Sequence, residues 1–169
     1  MAERSGRSVR VCAVGDFDFH AETYDALVTR GPGHVLSSVK HLLAPADIRF
    51  GNLETVLVSA PYTPLGPKAF LISDLSAVES LRLSEFDVLA FASNHTMDGG
   101  ADGLRECLEA VHGAGMQTTG AGLDLAEARI PARVVRHGIG IRFHAYCFGM
   151  GQIAGPRRAG CLEATSSAI

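Results

Sequence analysis

Residues 86–104 read FDVLAFASNHTMDGGADGL, and this stretch decides the fold class. Residues 86–92 are a nearly continuous apolar run of strand length, the pattern of a strand buried on both faces of a sheet. The run breaks into a polar cluster, Ser93-Asn94-His95-Thr96-Met97-Asp98-Gly99-Gly100. Beyond it Leu104, Cys107, Leu108 and Val111 recur at i, i+3, i+4 and i+7, one apolar stripe of a helix, and Gly113 and Gly115 stop it. Buried strand, polar turn and amphipathic helix together form the repeating unit of a parallel α/β sheet.

The same alternation extends outward. Residues 9–14 (VRVCAV) form a β-branched run that ends in Gly15-Asp16, and residues 47–50 (DIRF) form a second short strand ending in Gly51. Between them, residues 34–44 place Val35, Val39, Leu42 and Leu43 at helical spacing. Residues 59–68 (SAPYTPLGPK) are an irregular loop, and Leu75, Val78 and Leu81 then predict a helix capped by Ser73 or Asp74. Residues 116–119 are a fourth strand, and residues 132–136 and 141–147 flank His137-Gly138-Ile139-Gly140 as a β-hairpin. The expectation is a sheet that starts parallel and turns antiparallel at one edge. It occupies residues 9–148, after an N-terminal tail at 1–8. Residues 149–169 hold no convincing element and read either as a loop or as the truncated end of the domain.

Composition narrows the function. The 169 residues are 47% hydrophobic and 20% charged, with a net charge of −3. That balance describes a globular domain and excludes nucleic acid as the main partner. No run approaches about 18 apolar residues and no signal peptide is legible, so a cytoplasmic protein without a membrane anchor is expected. The four cysteines are widely spaced, with no CxxC pair, and read as small buried hydrophobes. The glycine pairs near residues 113–122 lack dinucleotide-fingerprint spacing, and neither a P-loop nor a GxSxG elbow occurs.

Three strands each end in a polar cluster: Gly15-Asp16-Phe17-Asp18-Phe19-His20, Gly51-Asn52-Leu53-Glu54-Thr55, and the Ser93 to Gly100 stretch. In an open parallel sheet the carboxyl ends of the strands share one edge, where ligands bind, so these clusters should converge. Their carboxylates, amide oxygens and imidazoles suit a divalent cation such as Mn, Mg, Fe or Zn, and a neighbouring His can serve as general acid. Each cluster alone is also ordinary turn chemistry. Asp18 and His20 are additional candidate ligands. His34 and His41 read as helix-surface residues, and His112 as a complement to a helix dipole.

GDFDFH, DIRFGNLETVL, Pro67-Lys68, FDVLAFASNHTMDGGADGL and GMQTTGAGLDLAEAR together resemble the CapA-like family of capsule and poly-γ-glutamate synthesis proteins, within the calcineurin-like metallophosphoesterase superfamily. The resemblance runs in order from about Val9 to Cys161. It implies a metallophosphatase-like sheet sandwich of α/β class with a metal site at the strand ends. By position it makes Asp16 the first metal ligand, gives the bridging role to Asn52 or Glu54 with Glu54 favoured for its charge, and makes Asn94 a ligand. It sets His95 against a substrate phosphate, with Asp98 orienting His95 or holding the turn. Asn52 and Lys68 are then candidates to contact an anionic substrate.

The resemblance also implies a second half bearing further histidine ligands, with a His-Trp-Gly-type segment. This sequence has no Trp. The expected function is therefore a metal-dependent, phosphoesterase-like hydrolase of capsule or poly-γ-glutamate biosynthesis. The alternatives are a non-catalytic domain that binds an anionic polymer or peptide, or an inactive fragment. Self-association, or a partner supplying the missing half, is expected to cover the open side of the sheet.

Overall fold

A computed structural model describes residues 7–59, 70–149 and 151–164. The chain opens with β1 (Val11–Phe17), followed by helix α1 (Ala21–Arg30) and two single turns, α2 (Pro32–Val35) and α3 (Lys40–Leu43). Next come β2 (Ile48–Leu53), β3 (Val56–Val58), β4 (Ile72–Asp74), α4 (Ala77–Leu83), β5 (Val88–Ala90) and α5 (Gly100–Gly113). The chain continues through β6 (Gln117–Thr119), β7 (Ala121–Gly122), α6 (Leu125–Ala128), the hairpin strands β8 (Ala132–Arg136) and β9 (Ile139–Phe143), and β10 (Gly160–Cys161).

The centre is a four-stranded, all-parallel sheet in the order β1-β2-β5-β6. The α/β class read from the alternation is thus the observed one. β5 explains why its sequence is apolar on every position: Val88 packs toward the hairpin while Leu89 and Phe91 pack toward the helices, and all three are fully buried. On α5 the predicted stripe of Leu104, Cys107, Leu108 and Val111 is the buried face. The other face of the sheet is covered by β8 and β9, where Ile48, Val88, Ala132 and Val134 form a smaller core and the Phe50 and Phe143 rings stack at 5.2 Å.

Several expectations need correction. The hairpin is a separate two-stranded sheet laid across the parallel one, not its antiparallel edge. Its turn is the two-residue His137-Gly138, with φ of 52° and 76°, the doubly positive geometry that matches strand twist. Its second strand accordingly begins at Ile139, inside the stretch read as a turn. A side chain completes its seam with the main sheet: Gln117 Nε2 donates to Arg133 O, and its Oε1 accepts from Arg133 N, both at 2.8 Å.

The helix expected at 34–44 is broken by a turn at 36–39, where Ser37 Oγ donates to His34 O at 2.7 Å and competes with helical pairing. Of its apolar stripe only Leu43 is buried, and Leu42 is 64% exposed. α1 escaped the sequence pattern because it buries a single residue, Leu27. Ser73 and Asp74 belong to β4 rather than capping α4; Asp74 Oδ1 accepts from Ser76 N at 2.8 Å, and Ser76 is the cap position. The proline-rich loop at 60–69 lies outside the described residues. Residues 151–164 are tied in by β10, which pairs antiparallel with β7. Among the described residues no helix is long and apolar enough to cross a membrane.

Candidate functional site

The site begins with register. β1 lies beside β2 with Asp16 opposite Asn52, and β2 lies beside β5 with Asn52 opposite Ala90. β1 and β2 therefore both run on through the clusters read as turns. An irregularity between Ala13 and Asp16 inserts one extra residue into β1 and re-aims Asp16. Asn52 Nδ2 then donates to Asp16 Oδ1 at 2.7 Å.

Glu54 follows on the turn after β2, held by its N–H donating to Phe17 O at 3.2 Å. Its carboxyl is pushed above the ordinary range by partial burial first, then by repulsion from Asp16, with a smaller push from Asp18; His95 attracts it in the opposite direction. Asp16, Asp18 and His95 are thus all within electrostatic reach of Glu54, although the four come from three separate strand ends. Thr55, fully buried, clamps this corner. Its Oγ1 accepts from Phe19 N at 3.0 Å and donates to Asp18 Oδ1 at 3.2 Å.

The third cluster is a tight turn built on Thr96, which is fully buried. Its Oγ1 accepts from Ser93 N at 3.0 Å and lies 2.8 Å from Phe91 O and 2.9 Å from Ser93 O as acceptors. The turn leaves Asn94 exposed and His95 half-buried. Asp98 Oδ2 sits 2.6 Å from His95 Nδ1 and accepts from Leu71 N at 2.7 Å. This pair assigns the Nδ1 proton toward Asp98 and turns Nε2 outward, with no partner among the described residues. Gly100, with φ of 67°, starts α5 in a conformation that disfavours a side chain.

All but one of the predicted site residues therefore gather in two linked groups, Asp16, Asn52 and Glu54 on the β1–β2 ends and Asn94, His95 and Asp98 on the β5 turn. Lys68 lies outside the described residues. Asn52, a substrate-contact candidate, spends its amide on Asp16. The two threonines were overlooked, although Ser-x-x-Thr at 93–96 is a spacing at which a hydroxyl closes its own turn. His112 Nε2 meets Thr118 Oγ1 at 2.8 Å, a specific partner beyond the helix dipole. A groove of about 430 Å³ lies elsewhere, between α5, β6 and α6, and none of the strand-end residues lines it.

The donor set suits a divalent cation in kind: two carboxylates that repel each other, beside an exposed amide oxygen. Among the described residues, however, no three His, Cys, Asp or Glu side chains converge closely enough to enclose a metal ion.

The profile of the bacterial capsule synthesis protein family PGA_cap matches residues 10–168. An uncharacterized protein of Sinorhizobium fredii, y4sH, is 30% identical over 114 residues, a match that covers 62% of this chain and 24% of the relative. A "probable polyglutamine synthesis accessory protein" of Mycobacterium tuberculosis (strain H37Rv) is 35% identical over 91 residues, covering 52% of this chain and 23% of the relative. These matches span about a quarter of each curated relative. With the profile covering nearly every residue, including all the strand-end clusters, the chain belongs to the PGA_cap family of bacterial capsule synthesis proteins.

Proposed function

We propose that the strand ends carry one side of a metal-dependent, phosphoesterase-like hydrolase site serving capsule or polyglutamate synthesis. The observation that carries this reading is the raised Glu54 carboxyl. Partial burial raises it first, Asp16 and more weakly Asp18 add negative charge against it, and a cation would relieve that repulsive part. Asp16, Glu54 and Asn94 would hold a divalent ion such as Mn, Fe, Zn or Mg. Once bound it supplies the charge that polarises a phosphoryl oxygen and acidifies water.

The chain's own residues do the rest. Asn52 fixes Asp16 by its 2.7 Å bond. Asp98 fixes the His95 ring through Nδ1, so that the doubly protonated ring would present its Nε2 proton to a leaving oxygen. Lys68 is a candidate contact for an anionic substrate. Calorimetric titration with Mn and Zn tests the reading: stoichiometric binding that is lost in Glu54→Ala is expected. No binding by a chain that unfolds cooperatively would overturn it.

That no three His, Cys, Asp or Glu side chains converge among the described residues leaves room for a second reading, in which the chain is an accessory domain that holds an anionic polymer or peptide without hydrolysing it. The name of the mycobacterial relative, an accessory protein of polyglutamine synthesis, supports this alternative. Binding of polyglutamate by metal-free protein, with the polymer recovered intact, would select it.

A further inference from the structure

Two thiols meet behind the Asn94 turn. Cys147 N donates to Leu162 O at 2.8 Å, and Cys147 O accepts from Ala164 N at 2.9 Å, which seats Cys147 opposite Glu163 in a parallel bridge. Cys161 precedes Glu163 by two residues, so the pleat points both side chains to the same side. Cys161 is fully buried and Cys147 nearly so. Their side chains are in hydrogen-bonding contact, and burial, followed by the nearby Cys147, pushes the Cys161 thiol up to about 12. Neither is in a disulfide in the structure, and at neutral pH Cys161 is protonated.

The pair lies close to the site at Gly151. Gly151, at φ of 105°, is wedged so that a Cβ built on it would lie 3.1 Å from Asn94 Cα, 3.1 Å from Ser93 O and 3.5 Å from Cys161 Sγ. Gly151 thus sits in the narrow space between Cys161 and the backbone that presents Asn94. The other two cysteines are placed differently: Cys107 Sγ accepts from Leu57 N at 3.4 Å under α5, and Cys12 lies on β1. They serve as internal controls.

We infer that Cys147 and Cys161 form a redox latch, an intramolecular disulfide that shifts Gly151 against the Ser93-Asn94 turn when it closes. Two S–H bonds break and one S–S bond forms. The two electrons and two protons pass to a low-molecular-weight disulfide such as oxidised glutathione, which departs as two thiols. The contact is independent of what the strand ends bind, so the latch stands or falls separately from the metal reading.

The test is to refold the chain in a buffer of reduced and oxidised glutathione, where access to the buried pair is no obstacle. Free thiols are counted, disulfides are mapped by proteolysis and mass spectrometry, and the backbone amides of residues 93–96 are followed by NMR. The count is expected to fall from the four free cysteines to two, with Cys147 joined to Cys161. The amides should move in the wild type, return on reduction and stay fixed in Cys147→Ser. Should that variant fail to fold, reversal by reductant in the wild type carries the control. Four remaining thiols, a glutathione adduct on either residue, or pairing through Cys12 or Cys107 would overturn the proposal. So would a closed bridge that leaves residues 93–96 unmoved.

Discussion

Asp98→Asn isolates the anchor of the candidate general acid. Oδ2 of Asp98 meets His95 Nδ1 at 2.6 Å and Leu71 N at 2.7 Å, and its side chain is only 13% exposed. A hydrogen bond to a charged group that is largely out of water is worth about 1.5–3 kcal/mol. Both bonds end on Oδ2, so an asparagine carbonyl set in its place keeps the two partners and loses the charge that strengthens them. The expected destabilisation is therefore about 1–2 kcal/mol, the charge-assisted share of the two bonds, and Asp98→Ala, which strands the Leu71 N–H and releases the His95 ring, should cost about 3–5 kcal/mol. With a urea m-value of about 2 kcal/mol per M, the Asn variant lowers the unfolding midpoint by roughly 0.5–1 M. Urea titration followed by circular dichroism reads this directly. Cation binding through Asp16 and Glu54 should survive, because Asp98 touches neither. A midpoint within about 0.2 M of wild type would refute the reasoning, since the bond pair would then be holding nothing.

Three further outcomes follow from the same geometry. Thr96→Val keeps the shape but leaves Ser93 N unpaired inside the turn, so thermal unfolding should report a loss of about 2–4 kcal/mol. Gly51→Ala drives a Cβ into the Phe17 ring, which packs edge-on to Phe86 at 4.9 Å, and denaturant unfolding should show a cost of about 1–3 kcal/mol. Glu54→Gln should stabilise the metal-free chain at neutral pH. A carboxyl whose folded pKa is raised favours folding below its unfolded value and loses that contribution as pH rises through the folded one. The melting-temperature gain should therefore fade as pH falls through the raised folded value and be gone at 4.5, the ordinary glutamate value, while the same variant no longer takes up Mn.

How far the sequence could be read depended on how much each element buries. β5 and α5 were legible because packing on both sides demands an uninterrupted apolar run and an i, i+3, i+4 stripe. The stretch at 34–44 misled because its apolar residues are half solvated, so periodicity there reports nothing about the core. β3, β7 and β10 are two or three residues long, too short to show any period, and they exist through partners distant in sequence. The strand-end convergence was legible from topology alone, since parallel strands place their carboxyl ends together. What could not be read was which residue of each cluster faces the others. That depends on the Thr55 and Thr96 hydroxyls, which set local backbone paths without any pattern of their own.

The irregularity in β1 settles the position of Asp16. Ala13 stands opposite Phe50, so an unbroken register would set Gly15 against Asn52 and Asp16 against Leu53, which is fully buried in the helix-side core. Because successive strand residues point to opposite faces, Asp16 would then aim at apolar side chains and Phe17 away from them. Burying an unpaired carboxylate costs far more than the lost ladder bond of a bulge. The extra residue restores the alternation. Phe17 falls opposite Leu53 and enters the core, and Asp16 falls opposite Asn52 and meets its amide. The bulge that keeps charge out of the core is therefore also the device that delivers the first carboxylate to the site.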